Sequence, residues 1–259
     1  MIFLIEGMAM ITYSTTINGI KVDAAYHESD VKNCFLPLLR KITGIQKEKN
    51  RRVLIMLAAP PGAGKTTLVG FLEELSRSEP DLIPMQAIGM DGFHRRQEYL
   101  LSHTTFVDGK EVRMVDVKGA PETFDLDALE MKIRELQNSE KCGWPVYDRM
   151  LHNPVEDAVF VTEKAVLLEG NYLLLDENGW DRLSDYADYT IFLPGDEEFL
   201  RTRLIDRRMK TGVEREKAES FVDFSDMRNV RTVLHHSKKA DLYLDLTMYD
   251  VHLDGNRRI

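Results

Sequence analysis

Residues 53–59 read VLIMLAA, an unbroken apolar run that ends in Pro60-Pro61-Gly62-Ala63-Gly64-Lys65-Thr66. A continuous apolar strand is buried on both faces, the condition of a central strand in a parallel sheet covered by helices. Directly after it, Gly62 and Gly64 let backbone N–H groups converge into a concave nest suited to phosphate oxygens. Apolar residues from Leu68 to Leu75 recur at helical spacing. A helix starting near Lys65 adds its positive N-terminal end to that nest. The segment fits the phosphate-cradling loop pattern, with Ala59 in place of its first glycine. In that pattern Lys65 reaches the terminal phosphates and the Thr66 hydroxyl ligates Mg²⁺.

Short apolar runs follow at Met85–Met90, Ala165–Leu168, Tyr189–Leu193 and Leu242–Leu246, separated by helical patterns at Leu126–Leu136 and Phe199–Met209. Strands alternating with helices predict a doubly wound, mainly parallel five-stranded sheet with helices on both faces. The segment His94–Pro121 breaks the rhythm and reads as an insertion over the C-terminal edge of the sheet, where ligands bind in such folds. Upstream, two β-prone runs in Ile11–Tyr26 flank Asn18-Gly19, a dipeptide suited to a type I′ hairpin turn. Ser29 or Asp30 then caps a helix carrying Val31, Phe35, Leu38, Leu39 and Ile42, in which Pro37 predicts a kink or a later start. Residues 1–50 thus read as an N-terminal hairpin and helix, and residues 51–259 as one α/β domain with an insertion at about 94–121 and a lid at about 199–215.

Composition narrows the classes of partner. The formal net charge of −9 argues against general nucleic-acid binding, which depends on neutralising phosphates. Met1–Ile11 is apolar but short, is interrupted by Glu6 and lacks a basic leader, so neither a membrane span nor a signal peptide is expected. Met8 and Met10 leave a later natural start open. Cys34 and Cys142 cannot form a disulfide framework and point to a reducing, cytoplasmic setting.

Four further motifs carry chemistry. Asp91, in Met90-Asp91-Gly92-Phe93-His94, ends a predicted strand near the phosphate loop. There a carboxylate can accept a proton from an acceptor hydroxyl or help hold a metal. Glu169, in Glu169-Gly170-Asn171-Tyr172, ends the apolar run AVLL, and an acid so placed suits Mg²⁺. Arg201 and Arg208, like Arg203 and Arg207, are spaced to share a helix face that can close over a transferring phosphoryl group. Tyr147 and His152, in Pro145–His152, can hydrogen-bond a polyhydroxyl acceptor, although the spacing is equally that of a surface turn.

Taken in order, the phosphate loop, DGFH, KGAPETFD (Lys118–Asp125), PVYDR with His152, EGNYLLL and the arginine helix resemble the P-loop kinases related to uridine kinase, phosphoribulokinase and bacterial pantothenate kinase. The resemblance runs from about Val53 to Leu246 and is nearest to a nucleoside/nucleotide kinase-like subgroup, some of whose members are named fructose-transport kinases. It implies a P-loop NTPase fold and binding of ATP and Mg²⁺ by Pro61, Gly62, Ala63, Gly64, Lys65, Thr66 and Thr67, with Arg208 assisting. It implies Asp91 as base, with Lys65, Arg203 and Arg207 assisting transfer, and Thr66, Asp91 and Glu169 around the metal. Asp91, His94, Tyr147, His152 and Glu169 would face a small hydroxylated substrate. Arg149 departs from the aromatic residue that uridine kinases carry after Tyr-Asp, and the N-terminal extension has no counterpart in the simplest of them. An ATP-binding regulator without a dedicated acceptor is the alternative. No Asn-Lys-x-Asp guanine-reading motif or ABC-type signature is present. Pairing of the N-terminal hairpin with a second subunit would give a homodimer.

Overall fold

The computed structural model describes residues 2–5, 8–17 and 20–245. Strands β1 (Ile2–Ile5), β2 (Met8–Ile17) and β3 (Ile20–His27) form an antiparallel sheet in the order β1-β2-β3. The expected hairpin is therefore the β2–β3 part of a three-stranded unit, and the apolar N-terminus supplies its third strand. The Asn18-Gly19 turn lies outside the described residues. Helical structure begins at Glu28, with His27 rather than Ser29 or Asp30 in the capping position. It passes through a wide π turn at Val31–Phe35 into α1 (Leu36–Lys49), with Pro37 in the first turn. Proline lacks the N–H that would bond back one α turn, which accounts for the widened turn before it.

Next come β4 (Val53–Ala58), α2 (Lys65–Ser78) and β5 (Met85–Gly89). The insertion folds as α3 (Gln97–Ser102) and a small hairpin, β6 (Thr104–Val107) and β7 (Lys110–Arg113). After α4 (Leu126–Asn138), a long hairpin of β8 (Cys142–Asp148) and β9 (Asn153–Val161) precedes β10 (Ala165–Gly170) and β11 (Tyr189–Phe192). The chain closes with α5 (Glu197–Lys210), α6 (Arg215–Phe221), α7 (Met227–His236) and β12 (Leu242–Tyr243).

The central sheet is five-stranded, ordered β12-β11-β4-β10-β5, and every pairing is parallel. Every residue of β4 and β10 is buried. Side chains alternate across a strand, so β4 serves two cores. Val53, Ile55 and Leu57 join the core containing Leu68 and Leu72 of α2, whereas Leu54, Met56 and Ala58 join the one containing Leu129 and Ile133 of α4. Both cores are needed because a parallel sheet has no face for water.

The N-terminal sheet packs on α2 and enters the first of these cores. Tyr26 stacks on Phe71 with centroids 4.4 Å apart, and Tyr13 meets the same ring edge-on at 5.7 Å. A Cβ at position 70 would lie 2.5 Å from the Tyr13 hydroxyl, so Gly70 permits this approach. Fully burying a Tyr- or Phe-sized side chain contributes about 2–3 kcal/mol. No helix among the described residues is long and apolar enough to cross a membrane.

Candidate active site

The loop between β4 and α2 is built as its glycines require. Gly62 (φ 85°) and Gly64 (φ 90°) are left-handed, where a side chain is strained. Gly64 precedes the first residue of α2, and its carbonyl accepts from the Leu68 N–H. Pro61, Gly62, Ala63, Gly64, Lys65 and Thr66 thus form the loop and helix start, while Thr67 turns inward and is buried.

Glu169 stands beneath this loop. It lies near the C-terminal end of β10, in register with Leu57 of β4 and Gly89 of β5. Its Oε1 accepts from the Thr66 hydroxyl at 2.9 Å, and its Oε2 lies 4.0 Å from Lys65 Nζ. Burial drives the Glu169 carboxyl above the usual range; Lys65 and the Thr66 hydrogen bond oppose this, and the charge of Asp91 adds to it. A cation placed here would relieve a desolvated carboxylate. Just beyond it, the buried side-chain oxygen of Asn171 has no hydrogen-bond partner, an acceptor that a ligand or water can satisfy.

Asp91 is held by its neighbours. Met90–Phe93 form a 3₁₀ turn in which Met90, Gly92 and Phe93 are buried and Asp91 is exposed. A Cβ on Gly92 would fall 2.1 Å from the Pro145 carbonyl oxygen of β8. Trp144 of β8 donates its indole N–H to the Gly89 carbonyl at 2.9 Å and packs edge-on against Phe93. The β8–β9 hairpin, not anticipated from the sequence, is thus the clamp that sets the Asp91 turn.

The same hairpin brings the acceptor-side residues together. The His94 ring lies 3.9 Å from that of Phe124 and 5.0 Å from that of Tyr147, with Nδ1 2.9 Å from the Asp91 carbonyl oxygen. Burial lowers the His94 pKa, and the nearby Lys118 and Arg149 add to that effect while Asp91 opposes it. Lys118 donates to Tyr147 Oη at 2.6 Å, to Gln97 Oε1 at 2.8 Å and to the His152 carbonyl at 3.3 Å. His152 therefore joins the cluster through its carbonyl, and the residue itself is exposed, with left-handed backbone. Lys118 belongs to a motif visible in the sequence, but nothing in its spacing from Tyr147 announces the contact.

On α5 the arginines divide. Arg203 reaches the phosphate loop: its guanidinium nitrogen would be 3.6 Å from a Cβ on Gly64. Arg207 is exposed on the same helix, and the charges of Asp226, Arg149 and Asp91 act on it. Desolvation in the cleft pulls both guanidiniums below their ordinary range, with each other's charge adding to it at Arg203. Neither forms an ion pair among the described residues. Arg208 is bound to Asp226 at 2.9 Å and lies over Phe221, and Arg201 makes a two-point pair with Asp223. The predicted shared faces are thus split by acids downstream of α5, whose positions the helical spacing does not disclose. Gly212 (φ 88°) follows the C-cap Thr211 and ends α5.

Residues 54–247 match the phosphoribulokinase/uridine kinase family. The uncharacterized Escherichia coli K12 protein YggC is 40% identical over 233 residues, 90% of this chain and 94% of that one. A Schizosaccharomyces pombe protein provisionally named a uridine kinase is 30% identical, over 75% of this chain and 83% of that one. Among solved structures, a protein of Silicibacter sp. TM1040 provisionally named a fructose transport system kinase superposes with a TM-score of 0.69. It is 28% identical, and the match covers 80% of this chain and 98% of that one. The family match and these likenesses agree with the parallel sheet and its phosphate loop, and the chain belongs to the phosphoribulokinase/uridine kinase family of P-loop kinases.

Proposed function

We propose that the protein transfers the γ-phosphoryl group of ATP to a hydroxyl of a small metabolite. The observation that carries this reading is the buried Glu169 hydrogen-bonded to Thr66 at the foot of the phosphate nest, with Asp91 exposed on the neighbouring strand end. Residues 61–67 would take the ATP phosphates, and Thr66, Glu169 and Asp91 would hold the Mg²⁺. When bound, that ion would neutralise part of the negative charge of the phosphates. Asp91 accepts the proton of the attacking hydroxyl. As the new oxygen–phosphorus bond forms, the bond to ADP breaks, and Lys65, Arg203 and Arg207 stabilise the charge on the phosphoryl oxygens. His94 and Tyr147, with the His152 segment, line the acceptor side. Arg208, tied to Asp226, acts by bracing the segment after α5. The reaction belongs in the reducing cytoplasm, in keeping with two free cysteines.

The test is ADP release from Mg·ATP against nucleosides, pantothenate and sugars, with Asp91→Asn as control. An acceptor that raises turnover above the acceptor-free rate, with loss in the variant, supports the reading. Equal acceptor-free hydrolysis by both proteins refutes the role of Asp91. Tight ATP binding with no acceptor effect favours a regulator instead.

A further inference from the structure

The charge around Asp91 is lopsided. Lys118 places its ammonium against three neutral oxygens, those of Tyr147, Gln97 and the His152 carbonyl. Among the described residues it has no carboxylate partner. Arg149, exposed in the turn between β8 and β9, likewise has none, and its charge is felt at His94, Tyr147 and Arg207. Arg207 feels both the Arg149 charge and that of Asp91. In a chain of net charge −9, unpaired cations gathered in one cleft are not a general property of its surface.

These cations also lie on a definite side. The phosphates of ATP have their own donors: the nest, Lys65 and Arg203, on β4, α2 and α5. Lys118 comes from the end of the insertion and Arg149 from the β8–β9 hairpin, and both are grouped with His94 and Tyr147, on the acceptor side of Asp91. Burial works against the Lys118 ammonium and lowers its pKa, so an anion arriving beside it gains from a charge the protein has left uncompensated. His94, held neutral by the same environment, donates or accepts a hydrogen bond without adding charge.

We infer that the acceptor is itself an anion: the hydroxyl presented to Asp91 belongs to a metabolite whose carboxylate or phosphomonoester group is received by Lys118 and Arg149. The inference rests on the kinase reading above and narrows its substrate class, setting neutral nucleosides and free sugars below their charged counterparts.

Matched acceptor pairs test it: pantothenate with pantothenol, glycerate with glycerol, ribose 5-phosphate with ribose, and fructose 6-phosphate with fructose. We expect kcat/KM to favour the charged member of a productive pair by about tenfold or more, the scale of a charge-assisted contact. Arg149→Gln should erase most of that ratio through KM, and Arg149→Lys should restore part of it. A variant that is merely misfolded lowers both members together and leaves the ratio intact. A neutral member preferred, or a ratio indifferent to Arg149, overturns the inference while leaving the kinase reading standing.

If no pair turns over, inorganic phosphate and acetate are titrated separately into protein saturated with Mg·AMP-PNP. Binding that weakens in Arg149→Gln supports the inference, and the anion that binds tells phosphomonoester from carboxylate. No binding of either anion overturns it. Failure of AMP-PNP itself to bind refutes the kinase reading on which it rests.

Discussion

The hydroxyl of Thr66 donates a 2.9 Å hydrogen bond to Glu169 Oε1, tying the first turn of α2 to the end of β10. Without that donor the buried carboxylate keeps only a distant Lys65. Thr66→Val should therefore lower kcat/KM for Mg·ATP by about 10- to 100-fold, the worth of a hydrogen bond to a charged group. Thr66→Ser should retain most of it. Initial rates across a Mg²⁺ titration check both.

Asp91→Asn keeps the turn and removes the carboxylate proposed as the base. Turnover should fall by about 10²–10⁴-fold, the usual contribution of a positioned general base. ATP affinity, measured by fluorescence or calorimetric titration, should remain that of the wild type. An unchanged turnover number would assign the proton to another group.

The two classes of arginine on α5 should separate cleanly. Arg203→Met removes a guanidinium facing the phosphate loop and should cost about 10²–10³ in kcat, on the scale of a lost transition-state donor. Arg201→Met breaks only a solvent-screened pair with Asp223, should change stability little, and should leave kcat alone. Parallel steady-state assays of the two variants decide it.

How much of this was readable beforehand follows from what kind of signal each part leaves. The parallel core leaves the plainest one, because strands buried on both faces must be continuous apolar runs, as in β4 and β10. The phosphate loop is equally plain, since its glycines and Lys65 are adjacent in sequence. The β8–β9 hairpin is not: Val146, Val155, Val159 and Phe160 are exposed apolar residues, and Pro145 and Pro154 lie inside its strands. No polar alternation marks it, and prolines argue against strands. Lys118 meets Tyr147 only because that hairpin folds back over the insertion. The sorting of Arg201 and Arg208 away from the cleft depends on Asp223 and Asp226, which reach α5 only through the tertiary fold.

Gly92 should resist substitution although its backbone is not left-handed. In Gly92→Ala the methyl group meets the Pro145 carbonyl oxygen at 2.1 Å, and neither side is a flexible chain end. Displacing the turn should cost about 2 kcal/mol, the typical penalty of an overpacked core site, and Tm should fall by several degrees. Turnover should fall with it, because Asp91 moves too.

Acid stability should be governed in part by Asp188. Its side chain is 3% exposed and paired with Lys49 and Arg51, and it accepts the Leu54 N–H. Burial raises its pKa, but the Arg51 and Lys49 bonds outweigh burial and hold it below the ordinary value of 3.8. A depressed carboxylate stabilises the fold above its unfolded pKa, and that contribution is lost as pH falls through the folded one. Asp188→Asn should thus lower stability at neutral pH by about 2 kcal/mol and flatten the loss below pH 3.8. Urea melts at pH 7 and below pH 3.8 give the comparison.

Phe71 gives the N-terminal sheet its seat, and it lies on the same short helix whose first turn closes the phosphate loop. The opening segment and the phosphate loop are therefore not interchangeable modules. A boundary drawn at residue 50 would cut through a shared interior and expose the flank of α2, so a fragment, fusion or circular permutant built there inherits a sticky helix along with its nucleotide cradle. Grafting this extension onto a simpler relative would in turn require a glycine opposite Tyr13 as well as the tyrosines themselves.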